Sequence, residues 1–181
     1  MELKPSNLSF AEAAALPIGA MTAMYLWEKA KLQKGHQVFV YGPSGSVGSY
    51  AVQLAKQAGA KAHAACSGPN FDMVRNLGAE VCVDYKVEDY SLRKENYDIV
   101  FDAVGKTSKS KAKKVLSKGG KFVSVSMPTQ EKDEHLLKIK NMAEVRSLIP
   151  WIDKTYALEQ IVEAHTYVDE GHKRGNVNIQ L

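Results

Sequence analysis

Cysteine and long apolar runs are both scarce in this 181-residue chain. The two cysteines, Cys66 and Cys82, are too few for a disulfide framework and lack the paired spacing of a structural zinc site, so both thiols read as buried strand residues and no metal is expected. No apolar run approaches the roughly 18 residues that a membrane span needs. The N-terminus shows no basic segment ahead of an apolar stretch and no small-residue cleavage site, which points to a cytoplasmic protein. Charge is nearly balanced, at +4 overall, and most of the excess lies in one stretch: Lys106, Lys109, Lys111, Lys113, Lys114, Lys118 and Lys121. No aromatic residue interleaves with these lysines, so they read as a solvated helix face and not as a surface on which bases stack.

What the chain does have is 45 % apolar residues arranged as strand and helix in turn. Ser9 and Glu12 form a capping box for a short helix over 9–15, which Pro17 ends, and a second helix is predicted over 19–32. Residues 37–41 (Gln-Val-Phe-Val-Tyr) make a β-branched and aromatic run that leads at once into glycines, as a buried parallel strand does. Val47, Ala51, Leu54, Ala55 and Ala58 then recur at helical spacing up to Gly59. The alternation continues with strands at 61–66, 80–84, 98–102 and 121–126 and helices at 70–77 and 108–116. Beyond Pro128 a polar helix, a helix over 157–169 and a last strand over 176–181 are predicted. Strands joined by helical crossovers make an α/β fold of Rossmann type, a doubly wound parallel sheet with helices on both faces. The chain divides into a linker and helix (1–35), a dinucleotide-binding core (36–127) and C-terminal helices with a final strand (128–181).

The segment that carries chemistry is Gly42-Pro-Ser-Gly-Ser-Val-Gly48, between a strand and a helix. Unpaired N–H groups and a partial positive charge at the helix start suit a pyrophosphate, and Gly45 and Gly48 remove Cβ atoms that would hold it off or separate helix from strand. Ser44 and Ser46 add hydroxyls. The pattern departs from G-x-G-x-x-G, because Pro43 stands where the first glycine would be. The plain alternative is a tight turn that binds nothing. At the end of the second strand, where an NAD enzyme places an acid, this chain has Ser67. A carboxylate would repel a 2′-phosphate and a hydroxyl can donate to one, so NADPH is favoured; NADH bound without that contact is the alternative.

Several further motifs stand in order: Leu8-Ser-Phe-Ala-Glu-Ala-Ala-Ala-Leu-Pro17, Leu77-Gly-Ala-Glu80 leading to Val83-Asp-Tyr85, Phe101-Asp-Ala-Val-Gly105, Gly119-Gly-Lys-Phe-Val123, and Leu158-Glu-Gln-Ile-Val-Glu-Ala-His165 followed by Gly175-Asn-Val177. With the glycine turn they make the whole chain resemble the C-terminal part of quinone oxidoreductases and related zinc-independent members of the medium-chain dehydrogenase/reductase superfamily. That resemblance implies metal-free hydride transfer from NADPH to a quinone or an α,β-unsaturated carbonyl. Residue by residue it implies that Ser44, Gly45, Ser46, Val47 and Gly48, entered through Gly42, bind the pyrophosphate, and that Ser67 and Tyr85 meet the 2′-phosphate. Val104 and Gly105 border the adenosine, and Thr22 and Ser126 approach the nicotinamide. Relatives that prefer NADPH place a Lys two or three residues after the Ser67 position, where this chain has Pro69 and Asn70; Lys86 is a substitute.

In such relatives a barrel-like catalytic domain precedes the Leu8-Ser-Phe segment. The chain therefore reads either as the cofactor half of an oxidoreductase, inactive alone, or as a stand-alone nucleotide-binding or interaction module. No catalytic residue is assigned within it; His165, His172, Tyr25 and Tyr41 read as surface or packing residues. Without that domain Trp151, Ile152, Val177 and Ile179 lack cover, which leads to an expected homodimer.

Overall fold

The computed structural model describes residues 2–130 and 132–181. The Ser9 hydroxyl accepts from the Glu12 amide while the Glu12 carboxylate takes the Ser9 N–H, and this capping box starts α1 (Phe10–Ala14). Pro17 both ends α1 and opens α2 (Pro17–Ala30), because a proline at the first helical turn gives up an N–H that has no partner there anyway. The core then runs β1 (Gln37–Tyr41), α3 (Ser46–Gln57), β2 (Lys61–Cys66), α4 (Phe71–Leu77), β3 (Val81–Asp84), β4 (Tyr97–Asp102), α5 (Lys109–Ala112) and β5 (Leu116–Ser124). The five strands are parallel in the order β3-β2-β1-β4-β5. This is the dinucleotide-binding order, and the chain reverses direction across the sheet between β1 and β4, beside the ends of which ligands bind.

Strand side chains alternate between two apolar clusters. Val38, Val40, Ala62, Ala64, Ile99, Phe101 and Val123 pack with α2, α3 and α4 on one face. Phe39, Ala65, Val83 and Val100 pack with Tyr90, Tyr97, Ala112 and Val115 on the other. The two faces are covered unequally: full helices lie on the first, and the second has a short turn at Tyr90–Leu92 and the single turn of α5. Trp27 ties α2 to α3, its ring against Phe101 and its indole N–H donating 3.0 Å to the Ala51 carbonyl.

Two sequence expectations fail in this half. The helix expected over 108–116 is one turn long, and the strand expected at 121–126 begins at Leu116 and ends at Ser124. The glycine pair explains why. The pair sits in a bulge inside β5: pairing with β4 jumps from Tyr97–Leu116 to Ile99–Lys121, Gly119 takes φ +83°, and at Gly120 a Cβ would meet the Ser117 and Tyr97 carbonyl oxygens at 2.9 and 3.0 Å, so the glycines turn within the strand and not before it. The lysines accordingly share no helix face: Lys111 pairs with Asp89 over the Tyr90 ring, and Lys121 donates to the Ala30 carbonyl.

After β5 come α6 (Asp133–Glu144), β6 (Ile152–Ala157), α7 (Ile161–Asp169) and β7 (Asn176–Gln180). β6, which the sequence patterning does not show, pairs in parallel with β7 as a separate two-stranded sheet, and the helix expected from 157 starts at Ile161 after a short turn. Trp151, Ile152, Val177 and Ile179 are all half-buried. No described helix is long and apolar enough to cross a membrane.

Candidate cofactor site

The turn between β1 and α3 lines a cleft of about 410 Å³ at the carboxyl ends of the strands, a size typical of small-molecule sites. Of the residues singled out in the sequence, Gly42, Ser44, Gly45, Ser46, Val47, Ser67, Tyr85 and Val104 line it. Its three glycines have different reasons. Gly42 sits at φ +79°, where a Cβ would press on the Val104 side chain at 2.5 Å. At Gly48 a Cβ would lie 2.0 Å from the Gly42 carbonyl oxygen, so this glycine lets α3 close onto the turn. Gly45 is unlike both: its φ is −85°, open to any residue, and a Cβ there meets nothing of the protein nearer than 3.9 Å. Its missing side chain faces the cleft, so the space is kept for something other than protein.

At the far side, the Asn70 amide donates to the Ser67 hydroxyl (3.1 Å) and the Ser44 hydroxyl (3.3 Å), which joins the end of β2 to the glycine turn. The Asn70 Oδ1 is buried with no partner among the described residues, in the cleft wall. The Asp84 carboxylate, at the end of β3, fixes the local backbone by accepting from the Gly68 and Lys86 amides. Tyr85 packs on Tyr41, which lines the cleft itself, and burial pushes the Tyr41 phenol above its ordinary value.

Opposite, the fully buried Asp102 holds the Val104–Gly105 turn. Its carboxylate accepts from the amides of Val104 (3.1 Å), Gly105 (2.9 Å) and Thr107 (3.4 Å) and from the Ser124 hydroxyl (3.1 Å). Gly105 stands outside the cleft wall, packed towards Ser126, and Gly48 lies behind it as a packing glycine. Thr22 lines a separate hollow with Met21 and Thr129, so Thr22 and Ser126 do not share the cleft with the glycine-turn residues.

The sequence reading misses Tyr41, Asn70, Lys106, His172 and Lys173 in the cleft wall. Asn70 and Tyr41 flank residues already singled out and could have been found from them. Lys173 could not, since it arrives from the loop between α7 and β7, 127 positions from the Ser46 it touches.

A parallel sheet in this order with a glycine turn at its reversal point defines a Rossmann dinucleotide-binding domain. The family described as zinc-binding dehydrogenase matches residues 46–150, and the chain belongs to it, as a quinone oxidoreductase-like member of the medium-chain dehydrogenase/reductase superfamily. It is 35 % identical to the 2-methylene-furan-3-one reductase of Solanum lycopersicum over 98 % of this chain and 48 % of that protein. It is 30 % identical to the chloroplastic NADPH-dependent alkenal/one oxidoreductase of Arabidopsis thaliana, over 98 % of this chain and 49 % of the relative. Among solved structures, the quinone oxidoreductase from Coxiella burnetii superposes with a TM-score of 0.86 at 25 % identity, covering 99 % of this chain and 63 % of that one. The chain thus spans about half the length of these curated relatives.

The family description names zinc, and one group of described side chains brings three possible donors within 4.8 Å: Glu28, Glu134 and His135. The Lys132 ammonium already lies 2.7 Å from the Glu28 carboxylate, with the buried His135 ring 2.7 Å from its other oxygen. These bonds, Lys132 first, hold the Glu28 carboxyl below its usual range. The cluster carries its own cation: Lys132 occupies the Glu28 oxygen that a metal would need.

Proposed function

We propose that this chain is the cofactor-binding part of an NADPH-dependent oxidoreductase that delivers hydride to a quinone or an α,β-unsaturated carbonyl without a metal. The observation that carries the reading is Gly45, whose empty Cβ position opens on the cleft and has no explanation in the packing. The names of the tomato and Arabidopsis relatives support the substrate class, and that of the Arabidopsis relative supports NADPH.

When bound, the cofactor supplies the hydride; what this chain supplies is place and charge. The amides at the start of α3 and the Ser44 hydroxyl take the pyrophosphate. Ser67, bridged to Ser44 by Asn70, meets the 2′-phosphate with Tyr85, and Val104 closes the adenosine side. Thr22 and Ser126, with the linker-and-helix, core and C-terminal division at 35 and 127, belong to the same reading, the first segment leading to a catalytic domain. A homodimer fits the half-buried β6 and the exposed apolar residues beside it, Leu158 and Val162.

Calorimetric titration with NADPH and with NADH tests the proposal. Tighter binding of NADPH is expected; equal or reversed affinity would overturn the cofactor assignment, and no binding of either would overturn the dinucleotide reading.

A further inference from the structure

Lys173 reaches back across the fold from the loop before β7. Its ammonium donates to the Ser46 hydroxyl (2.7 Å) and to the Gly175 carbonyl (2.6 Å). Ser46 is the first residue of α3, and its own hydroxyl donates to the same Gly175 carbonyl at 2.9 Å. The loop is pinned there by backbone as well: the Gly175 amide donates 2.7 Å to the Ser44 carbonyl, and Gly175, at φ +68°, leaves no room for a Cβ against the Trp151 carbonyl at 2.3 Å. The cation is therefore held in one place, at the cleft wall.

Its partners are all neutral. Among the described residues no carboxylate lies within ion-pair distance of Lys173. The acid that acts on it, Asp153, is engaged by the Tyr167 hydroxyl and the Arg174 amide. Burial accordingly pulls the Lys173 ammonium below the ordinary lysine value. Beside it stands the positive end of α3, with amides unpaired. A half-buried ammonium held against the partial positive charge of a helix start, with no anion between them, costs stability unless a ligand supplies one. An ammonium has three N–H donors and two are used, which leaves one for the cleft.

We propose that Lys173 is a binding residue for the pyrophosphate of the dinucleotide, the cationic counterpart to the α3 amides. This rests on the cofactor reading above and deepens it. A loop at the end of the chain, not the glycine turn, supplies the charge, and Ser46 acts as a post that aims the ammonium, its own proton being committed to Gly175.

Two ligands separate this role from a structural one: NADPH, which carries the pyrophosphate, and adenosine 2′-monophosphate, which does not. In Lys173→Met the affinity for NADPH should fall by about ten- to hundredfold, the range for one charge-assisted hydrogen bond, while that for adenosine 2′-monophosphate stays within about twofold. Lys173→Arg should keep most of the NADPH affinity. Without ligand, Lys173→Met should melt at or above the wild-type temperature, because a half-buried cation with no anionic partner has been removed. The proposal is overturned if Lys173→Met binds NADPH as wild type does, if both ligands weaken together, or if the variant is destabilised, which would make Lys173 a clamp for the loop. A wild-type chain that binds neither ligand fails earlier, at the dinucleotide reading.

Discussion

Two glycines three residues apart should respond in opposite ways to the same added methyl. In Gly48→Ala the new Cβ would lie 2.0 Å from the Gly42 carbonyl oxygen and 2.7 Å from the Pro43 Cα, both backbone, so α3 must shift as a body. Overpacking of that kind costs about 1–3 kcal/mol, or about 2–12 °C in Tm for a chain of this size. In Gly45→Ala the nearest protein atom is 3.9 Å away and the backbone is ordinary. The alanine restricts the unfolded chain, which favours folding by about 0.4–1 kcal/mol, and gives up a glycine at the helix N-cap, which costs a similar amount. Thermal melting should therefore show Gly45→Ala within about 2 °C of wild type, by the same scaling. NADPH titration should show the reverse order of damage: Gly45→Val folds but loses at least about tenfold in affinity, because its side chain occupies the approach to the helix amides. Equal destabilisation by Gly45→Ala and Gly48→Ala, or wild-type affinity in a folded Gly45→Val, would refute the assignment of that space to a ligand.

Replacing Ser67, which bonds to Asn70 at 3.1 Å, by Asp should turn preference from NADPH towards NADH by about 1–3 kcal/mol, read as a ratio of dissociation constants; an unchanged ratio places the 2′-phosphate elsewhere. Asp102→Ala strands three amides and a hydroxyl in a buried site and should lose about 3–5 kcal/mol in urea unfolding, where a loss under about 1 kcal/mol would contradict the role given to that carboxylate. Burial raises the Tyr50 phenol, whose hydroxyl donates to the Ala15 carbonyl at 2.9 Å, and raises Tyr41, Tyr90 and Tyr97 as well. A folded value above the unfolded one, about 10, means that stability is whole below that pH and falls above it by about 1.4 kcal/mol per pH unit for each such phenol. Lys173 pushes the other way, so the slope is measured against Tyr50→Phe, which should be shallower; identical slopes would refute Tyr50's part.

How much of this was legible in the sequence depends on how far along the chain each feature's cause lies. The capping box at Ser9 and Glu12, the β1 run and the glycine turn are set within a few residues, and the structure matches them. The β5 boundary is not, because the turn at Gly119 and Gly120 reads as the start of a strand until Leu116, before it, is seen paired with Tyr97 of β4. β6 reads as irregular for a similar reason: its residues are half-exposed and find their partner only in β7.

The site divides along the same line. Gly45 and Ser67 are visible because a βαβ unit puts its ligand at fixed offsets from its own turn. Asn70 is intermediate: its place after Ser67 is readable, but its bond to Ser44 depends on the tight 3-10 turn of residues 68–70 before α4. Lys173 follows no offset at all. One lysine among the 24 basic residues of the chain, it differs from the others only through what folding puts around it, Ser46 and the Gly175 carbonyl in place of water. Charge counted along the sequence cannot separate a solvated lysine from one held at a helix start, because the difference is desolvation, and desolvation belongs to the fold.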